Sequence, residues 1–505
     1  MVSIRLSPPA RGDNTADAER LIQALRSLID AQEIHIELSV LQKLPRLLRN
    51  SDYSLRCVLF PYGHSWLLLG LKGQDEQLPI TGLALDLGTT KCVLRLVDLE
   101  TGKIWAEKSF DNPQNEFGVD ILSRIHEATK PAGLEIQQEL IVSQVNKAAH
   151  ELASEANIGP SSIYLLTIAG NTAMSHLFLG LVPDWMIREP YIPAVNNPEP
   201  IRASQLGLQL NPEARIFVFP NVGSYFGGDV LSGLLYSGLC RREELALLVD
   251  VGTNAEVCLG NAHWLLCCAG AAGPALESGA SALGMTAAPG VIDSVEIDPE
   301  SGHFSLHVLG GGKPHGICGS GLLDLAGQLF LKGMLDSRGK LRPDKCAHRY
   351  WQQDGVGHLL LVSAQDSGSG ESLSISQVEL DSLVRSKAAM YAILETAAAS
   401  VGLSLQEVEK FYVGGTFGTY IRPESAIALG MLPDLPLERF VTLGNSSLAG
   451  ATELLYSREK YQELIEIKEK ITYLELNVNQ EFMQRFSAAK FLPHTEAGLF
   501  PSVQN

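Results

Sequence analysis

The sequence predicts an α/β protein built from two similar lobes, with a small α/β unit ahead of them. The first observation behind this is a repeated pattern. An apolar run, an aspartate, an apolar residue, a glycine and two small polar residues occur at 83–90 and again at 247–254. The second observation is the apolar segment after each copy, at 92–97 and 255–259, so each copy reads as strand, tight turn, strand. The third is distance. Asp86 and Asp250 stand 164 residues apart, which suits one hairpin in each of two lobes that share a cleft.

Composition sets the bounds. The chain has 505 residues, enough for two to four domains at about 100–200 residues each. It is 45% hydrophobic and 19% charged, a globular composition with ample core. Its 39 basic and 57 acidic residues leave a net charge of −18, which argues against non-specific nucleic-acid binding. No apolar run is long enough to span a bilayer, and residues 1–13 lack an apolar signal core, so a cytoplasmic protein without a membrane partner is expected. The eight cysteines contain no Cys-x-x-Cys pair. Zinc and ferredoxin-type clusters use such close spacings, so neither is indicated, and most of the thiols are expected in cores.

In order, residues 1–78 form the small unit. Thr15 or Asp17 caps a helix with Leu21, Leu25 and Leu28 on one face. A strand is expected at 34–38, a helix disturbed by Pro45 at 40–49, and two strands at 54–60 and 65–69, with His64 in the turn between them. The first lobe, 79–244, continues from its hairpin to a strand at 104–110, helices at 120–129 and 139–156, and a strand at 164–168. The turn Gly170-Asn171-Thr172 then opens a helix, either as a plain connection or as a ligand contact. A short strand at 217–220 leads through a glycine-rich turn to Asp229 and a helix at 230–239. Asp229 either caps that helix or orients water or a metal ion. The second lobe, 245–505, has a small-residue segment at 267–279, a hairpin at 294–308, and helices at 322–331 and 377–400. A strand at 411–413 ends in Gly414-Gly415, and the tail reads helix, strand, helix.

The two hairpins carry the chemistry. A glycine lets the backbone come close to a ligand, and the small polar residues after it supply donors. Such a turn cradles phosphate with its N–H groups, while the aspartate holds a metal ion or its water shell.

Taken together, the two Asp-x-Gly-Thr hairpins, the glycine-and-helix segment before the second, and the late Gly-Gly turn resemble the actin, sugar-kinase and heat-shock-chaperone ATPase superfamily. The resemblance implies a two-lobed, actin-like fold of ribonuclease-H-like repeats that binds ATP and Mg2+. Asp86 and Asp250 would hold the water shell of the Mg2+. Gly88, Thr89, Thr90, Gly252, Thr253 and Asn254 would bind phosphate. Asp229 would help place water, and Gly414 and Gly415 would contact adenosine. More narrowly, Asn112-Pro113-Gln114 with Gly118-Val119-Asp120, Gly170-Asn171-Thr172, Gly273-Pro274-Ala275 with Glu277, Gly316-Ile317-Cys318-Gly319-Ser320-Gly321, and Gly444-Asn445 resemble the reductive activators of corrinoid proteins. In that family residues 1–78 are similar to the middle domain. Its members use ATP to help reduce Co(II) to methyl-accepting Co(I) on a corrinoid protein or methyltransferase, and a homodimer is implied.

Two departures from the family pattern stand out. The usual iron–sulfur domain with clustered cysteines is missing from these 505 residues, which implies a separate ferredoxin or flavoprotein as electron donor. A threonine also interrupts the late glycine turn, Gly414-Gly415-Thr416-Phe417-Gly418, where Gly-Gly-Phe-Gly is usual. Three other readings remain open. One is an activator of the 2-hydroxyacyl-CoA dehydratase type, with Cys318 and Cys346 bridging a cluster between subunits. The others are a small-molecule kinase and a nucleotide-gated chaperone.

Overall fold

The computed structural model describes residues 1–29, 31–63, 65–73, 79–118, 120–252, 254–271, 283–285, 287–298, 302–415, 421–476 and 479–503. The chain divides into two compact units. The first is Met1–Ser232 with Ser447–Leu464, and the second is Gly233–Ser446 with Ile465–Asn505. This differs from a simple cut at 244/245. The division falls inside the helix Gly228–Ser237, and 447–464 returns to the first unit. Long-range bonds explain the return: Thr167 Oγ1 donates to the Ala451 carbonyl at 2.7 Å, and Arg95 Nη1 to Thr452 Oγ1 at 3.1 Å.

The first unit opens with a four-stranded sheet of β1 (Val2–Arg5), β2 (Glu33–Ile36), β3 (Ser54–Tyr62) and β4 (Ser65–Gly73), ordered β1-β3-β4-β2. The helix Asp17–Ile29 buries Leu21 and Leu25 against it, while Leu28 faces solvent. Pro45 splits the expected second helix. It sits in the first turn of Leu44–Asn50, where its missing N–H costs nothing. Val58, Phe60, Leu69, Ile80 and Tyr164 join this sheet to the next one in an apolar cluster. Beside that cluster Arg215 reaches Glu37 at 2.7 Å, and Arg202 reaches Glu37 at 2.7 Å and Glu213 at 3.3 Å.

The second sheet of this unit has six strands: β5 (Thr81–Leu87), β6 (Lys91–Asp98), β7 (Ile104–Asp111), β8 (Ile163–Gly170), β9 (Ile201–Arg202) and β10 (Arg215–Val218), ordered β7-β6-β5-β8-β10-β9. β5, β6 and β7 form an antiparallel meander, and β8 and β10 run parallel to β5. The long helix Gly133–Glu155 packs its apolar face on this sheet.

The second unit repeats the arrangement. Its strands are β11 (Ala246–Val251), β12 (Asn254–Gly260), β13 (Leu265–Ala271), β14 (Val291–Ile297), β15 (Phe304–Val308), β16 (Gly316–Ile317), β17 (Tyr350–Gln353), β18 (Val356–Val362), β19 (Leu373–Ser376), β20 (Lys410–Gly414), β21 (Phe440–Gly444) and β22 (Ile471–Tyr473). The main sheet is ordered β21-β20-β11-β12-β13-β22. Again a three-stranded meander is followed by two strands parallel to the first, β20 and β21. The sequence-repeated aspartates therefore occupy the same place in two equivalent sheets: the C-terminal end of the central strand. Two three-stranded sheets, β15-β14-β16 and β17-β18-β19, are added, and the helix Gln377–Ser400 runs through the core. Among the described residues no helix is long and apolar enough to cross a membrane.

Candidate functional site

In the first unit, parallel strands deliver three loops to one edge of the sheet, because β5, β8 and β10 end on the same side. β5 ends in Asp86 and the turn Gly88–Thr90. β8 ends in Gly170-Asn171-Thr172, and β10 leads to the 219–229 segment. Hydrogen bonds tie these loops together. Asn171 Nδ2 donates to Thr89 Oγ1 at 3.1 Å, while its Oδ1 caps the helix Thr172–Leu179 by accepting from Met174 N at 2.9 Å. Thr172 Oγ1 donates to the Gly223 carbonyl at 3.0 Å. The Gly-Asn-Thr turn is thus both a cap and a brace for the first hairpin.

Asp86 is half-buried, and its carboxylate accepts a hydrogen bond from Ser447 Oγ at 2.9 Å. Asp229 lies in the first turn of the helix Gly228–Ser237, with Oδ1 accepting from Val230 N at 2.9 Å. It reaches this place because two glycines precede it. A Cβ on Gly227 would collide with Asn171 and lie 2.7 Å from Asp229 Oδ1, and one on Gly228 would meet Phe219 at 2.6 Å. Burial pushes the Asp229 carboxyl up to about 7, and the negative charge of Asp86 adds to the shift. A carboxyl held near neutrality suits proton transfer to and from water.

In the second unit Asp250 faces Glu256 across the β11–β12 ladder and lies beside Gly414 of β20. The turn is closed by Gly252 N donating to the Asn254 carbonyl at 2.9 Å. Gly415 has φ +80°, and a Cβ there would lie 2.6 Å from Asp250 Oδ1. A Cβ on Gly414 would lie 2.7 Å from Ser446 Oγ. That hydroxyl is buried and has no hydrogen-bond partner among the described residues. An orphaned hydroxyl beside a Gly-Gly turn and a carboxylate fits a polar ligand such as a nucleotide, which would satisfy it.

The chain matches three family models from end to end. Residues 1–77 match the RACo linker region, 81–242 the RACo middle region, and 244–504 the C-terminal domain of RACo, the ASKHA domain. The chain belongs to the RACo family. A solved structure of a reductive activator for corrinoid,iron-sulfur protein superposes with a TM-score of 0.90 at 38% identity, covering 99% of this chain and 80% of that one. The corrinoid activation enzyme RamQ of Eubacterium limosum is 29% identical over 472 residues, which is 89% of this chain and 79% of RamQ. The [Co(II) methylated amine-specific corrinoid protein] reductase of Methanosarcina barkeri is 25% identical over 427 residues, 77% of this chain and 73% of the relative. The actin-like fold expected from the hairpins is the fold of this family. One expectation is corrected: residues 1–77 match the RACo linker, and the middle region falls on 81–242.

Of the expected site residues, the structure gathers Asp86, Gly88, Thr89, Thr90 and Asp229 in the first unit, and Asp250, Gly252, Asn254, Gly414 and Gly415 in the second. Thr253, Gly273 and Glu277 lie outside the described residues, as do His64, Val119 and Thr416–Gly418. Gly414 and Gly415, expected at adenosine, are packed against Asp250 and Ser446. Sequence reading missed Ser446, Ser447 and Glu256. The two serines come directly after the Gly444-Asn445 motif, a signal that was present but unread. The eight cysteines are all buried. Cys318 Sγ lies 3.1 Å from Ser320 Oγ, and Cys346 Sγ donates to the Met334 carbonyl at 3.8 Å, with burial pushing its thiol up to about 11. Thiols buried inside a core are poorly placed to bridge two subunits, so nothing here favours the dehydratase-activator reading.

Proposed function

We propose that this protein couples ATP to the reductive activation of a corrinoid protein, Co(II) to Co(I). The observation that supports it most is the 38% identity and TM-score of 0.90 to a reductive activator over 99% of the chain. The site geometry is consistent: each lobe presents an aspartate at a strand end, followed by a glycine turn. In this reading Gly88, Thr89, Thr90, Gly252, Thr253 and Asn254 bind phosphate. Asp86 and Asp250 each face the water shell of Mg2+, whose chemistry when bound is to neutralise phosphate charge. Hard carboxylate oxygens suit that ion. Asp229 orients the attacking water and takes its proton. Gly414 and Gly415 meet adenosine.

Co(II) to Co(I) takes one electron at low potential. A separate ferredoxin or flavoprotein supplies that electron, and the partner is a corrinoid protein or corrinoid methyltransferase. Loss of an axial ligand is a main lever on a metal's potential, so an activator that binds a ligand-free state better than the ligated one makes the reduction easier. ATP binding supplies the differential affinity. The homodimer belongs to the same proposal.

The test is Asp250→Asn and Asp86→Asn in an assay that follows Co(I) absorbance after adding MgATP, an electron donor and a corrinoid protein. Each is expected to lower the ATP-dependent rate by about 10²-fold or more, the usual cost of removing one electrostatic element of a site. Unchanged rates in both variants, with unchanged melting, would sink the assignment.

A further inference from the structure

The turn of the first hairpin has its three carbonyls tied down from beneath. Asn112 Nδ2 donates to the Gly88 carbonyl at 2.8 Å, and Arg124 Nη2 donates to the Thr89 carbonyl at 2.6 Å. The Thr90 carbonyl accepts from Asn112 N at 2.8 Å and from Asn115 Nδ2 at 3.2 Å. A peptide is planar and trans, so its C=O and the following N–H point in opposite directions. Pinning the carbonyls of Gly88 and Thr89 inward therefore turns the N–H groups of Thr89 and Thr90 outward. Neither amide has a partner among the described residues, and both residues are at least partly open to solvent. Successive outward N–H groups of this kind form an anion-binding concavity.

A second observation points the same way. Arg124 comes from the helix Ile121–Ala128 and is fully buried. Its Nε donates to the Gly118 carbonyl at 2.9 Å and its Nη2 to Asn115 Oδ1 at 2.6 Å, while Nη1 lies 3.2 Å from Met174 Sδ. All of these acceptors are neutral. Burial lowers the guanidinium to about 10, although the Asp120 carboxylate that caps the same helix acts to raise it. A buried cation whose burial outweighs the charge of the helix-capping Asp120, bonded to the Thr89 carbonyl of an exposed turn, is further stabilised by an anion on the other side of that turn.

We propose that Arg124, Asn112 and Asn115 are positioning residues for the phosphates of ATP, holding the Gly88–Thr90 turn with its amides outward and supplying the positive charge behind it. The inference rests on the ATP reading. The Asn112-Pro113-Gln114 motif then has a physical role: it begins the short helix Pro113–Phe117 that carries both asparagines to the turn.

The experiment measures MgATP and adenosine affinities by titration calorimetry for wild type, Arg124→Gln, Arg124→Lys and Asn115→Ala, with melting temperatures as a check on folding. Arg124→Gln is expected to weaken MgATP by about tenfold or more, the size of one lost hydrogen bond to a charged group, with Asn115→Ala and Arg124→Lys intermediate. Adenosine affinity is expected to stay within about twofold, because adenosine carries no phosphate for the turn to hold. Equal losses for adenosine and MgATP, or none for MgATP, overturn the positioning role. If Arg124→Gln fails to fold, Asn115→Ala, at a half-buried site, decides by the same criterion. A wild-type protein that binds no MgATP overturns the ATP reading itself, a different result from either of these.

Discussion

Asp229 is a carboxyl set against its own ionisation. Burial and the neighbouring Asp86 raise it to about 7, whereas in the unfolded chain an aspartate titrates near 3.9. The difference fixes the sign of the linkage. Between about pH 4 and 7 the unfolded state gives up its proton while the folded state keeps it, so folding stability falls as pH rises through that window and levels off above it. Asp229→Asn removes the group that loses stability. The ligand-free variant is expected to melt higher than wild type at pH 8, by about 2–4 °C for each kcal/mol relieved, and to match it near pH 4. Its ATP turnover is expected to fall at every pH. A variant that melts lower at pH 8 would mean that Asp229 is a structural cap rather than a strained functional carboxyl. The raised carboxyl was not readable from sequence. There Asp229 was either a helix cap or a residue that orients water or a metal ion, and what decides its ionisation is burial beside Asp86, which only the parallel β5–β8–β10 edge creates.

At the scale of elements, the turns carry more information than the strands they join. Gly415 is in the left-handed region, and its missing Cβ leaves room for the Asp250 carboxylate. Gly415→Ala is expected to cost about 1–2 kcal/mol of stability from backbone strain alone, measured by denaturant unfolding. A carboxylate displaced by about 1 Å is expected to lower ATP turnover by about 10²-fold. Wild-type turnover in this variant would show that Asp250 does not need its observed position. The two aspartate hairpins were legible because an apolar run, an aspartate and a glycine mark strand end and turn at once. The helix Gln377–Ser400 was legible from a long uninterrupted pattern, to which the structure adds a Ser376–Glu379 capping box. The sheet β17-β18-β19 was not, because Tyr350–Gln353 is only four residues long and ends in two exposed glutamines, and only pairing in space makes it a strand. The helix Ser446–Tyr456 was hidden too: its opening Ser-Ser-Leu-Ala-Gly has the composition of a loop, and the small residues are there for close packing, with Gly450 against the Ser232 backbone.

At the scale of the molecule, net charge sets the terms on which an anion approaches. The chain carries −18, and MgATP is itself negative, so their long-range interaction is repulsive even though the Gly88–Thr90 turn is locally attractive through Arg124. Salt separates the two effects by range. The Debye length is about 30 Å at 0.01 M and about 8 Å at 0.15 M. Adding salt removes the repulsion of distant carboxylates first. The turn acts on a phosphate across a few ångströms, and its buried guanidinium is shielded from ions by protein, so it is screened much less. The association rate of MgATP, followed by stopped-flow fluorescence with a labelled nucleotide, is therefore expected to rise severalfold between 0.01 and 0.15 M salt, at constant free Mg2+. The dissociation rate is expected to change little, because it is governed by the short-range contacts. An association rate that falls with salt would mean that a positive local field reaches past the acidic surface and steers the nucleotide from a distance. The global charge would then be irrelevant to nucleotide capture.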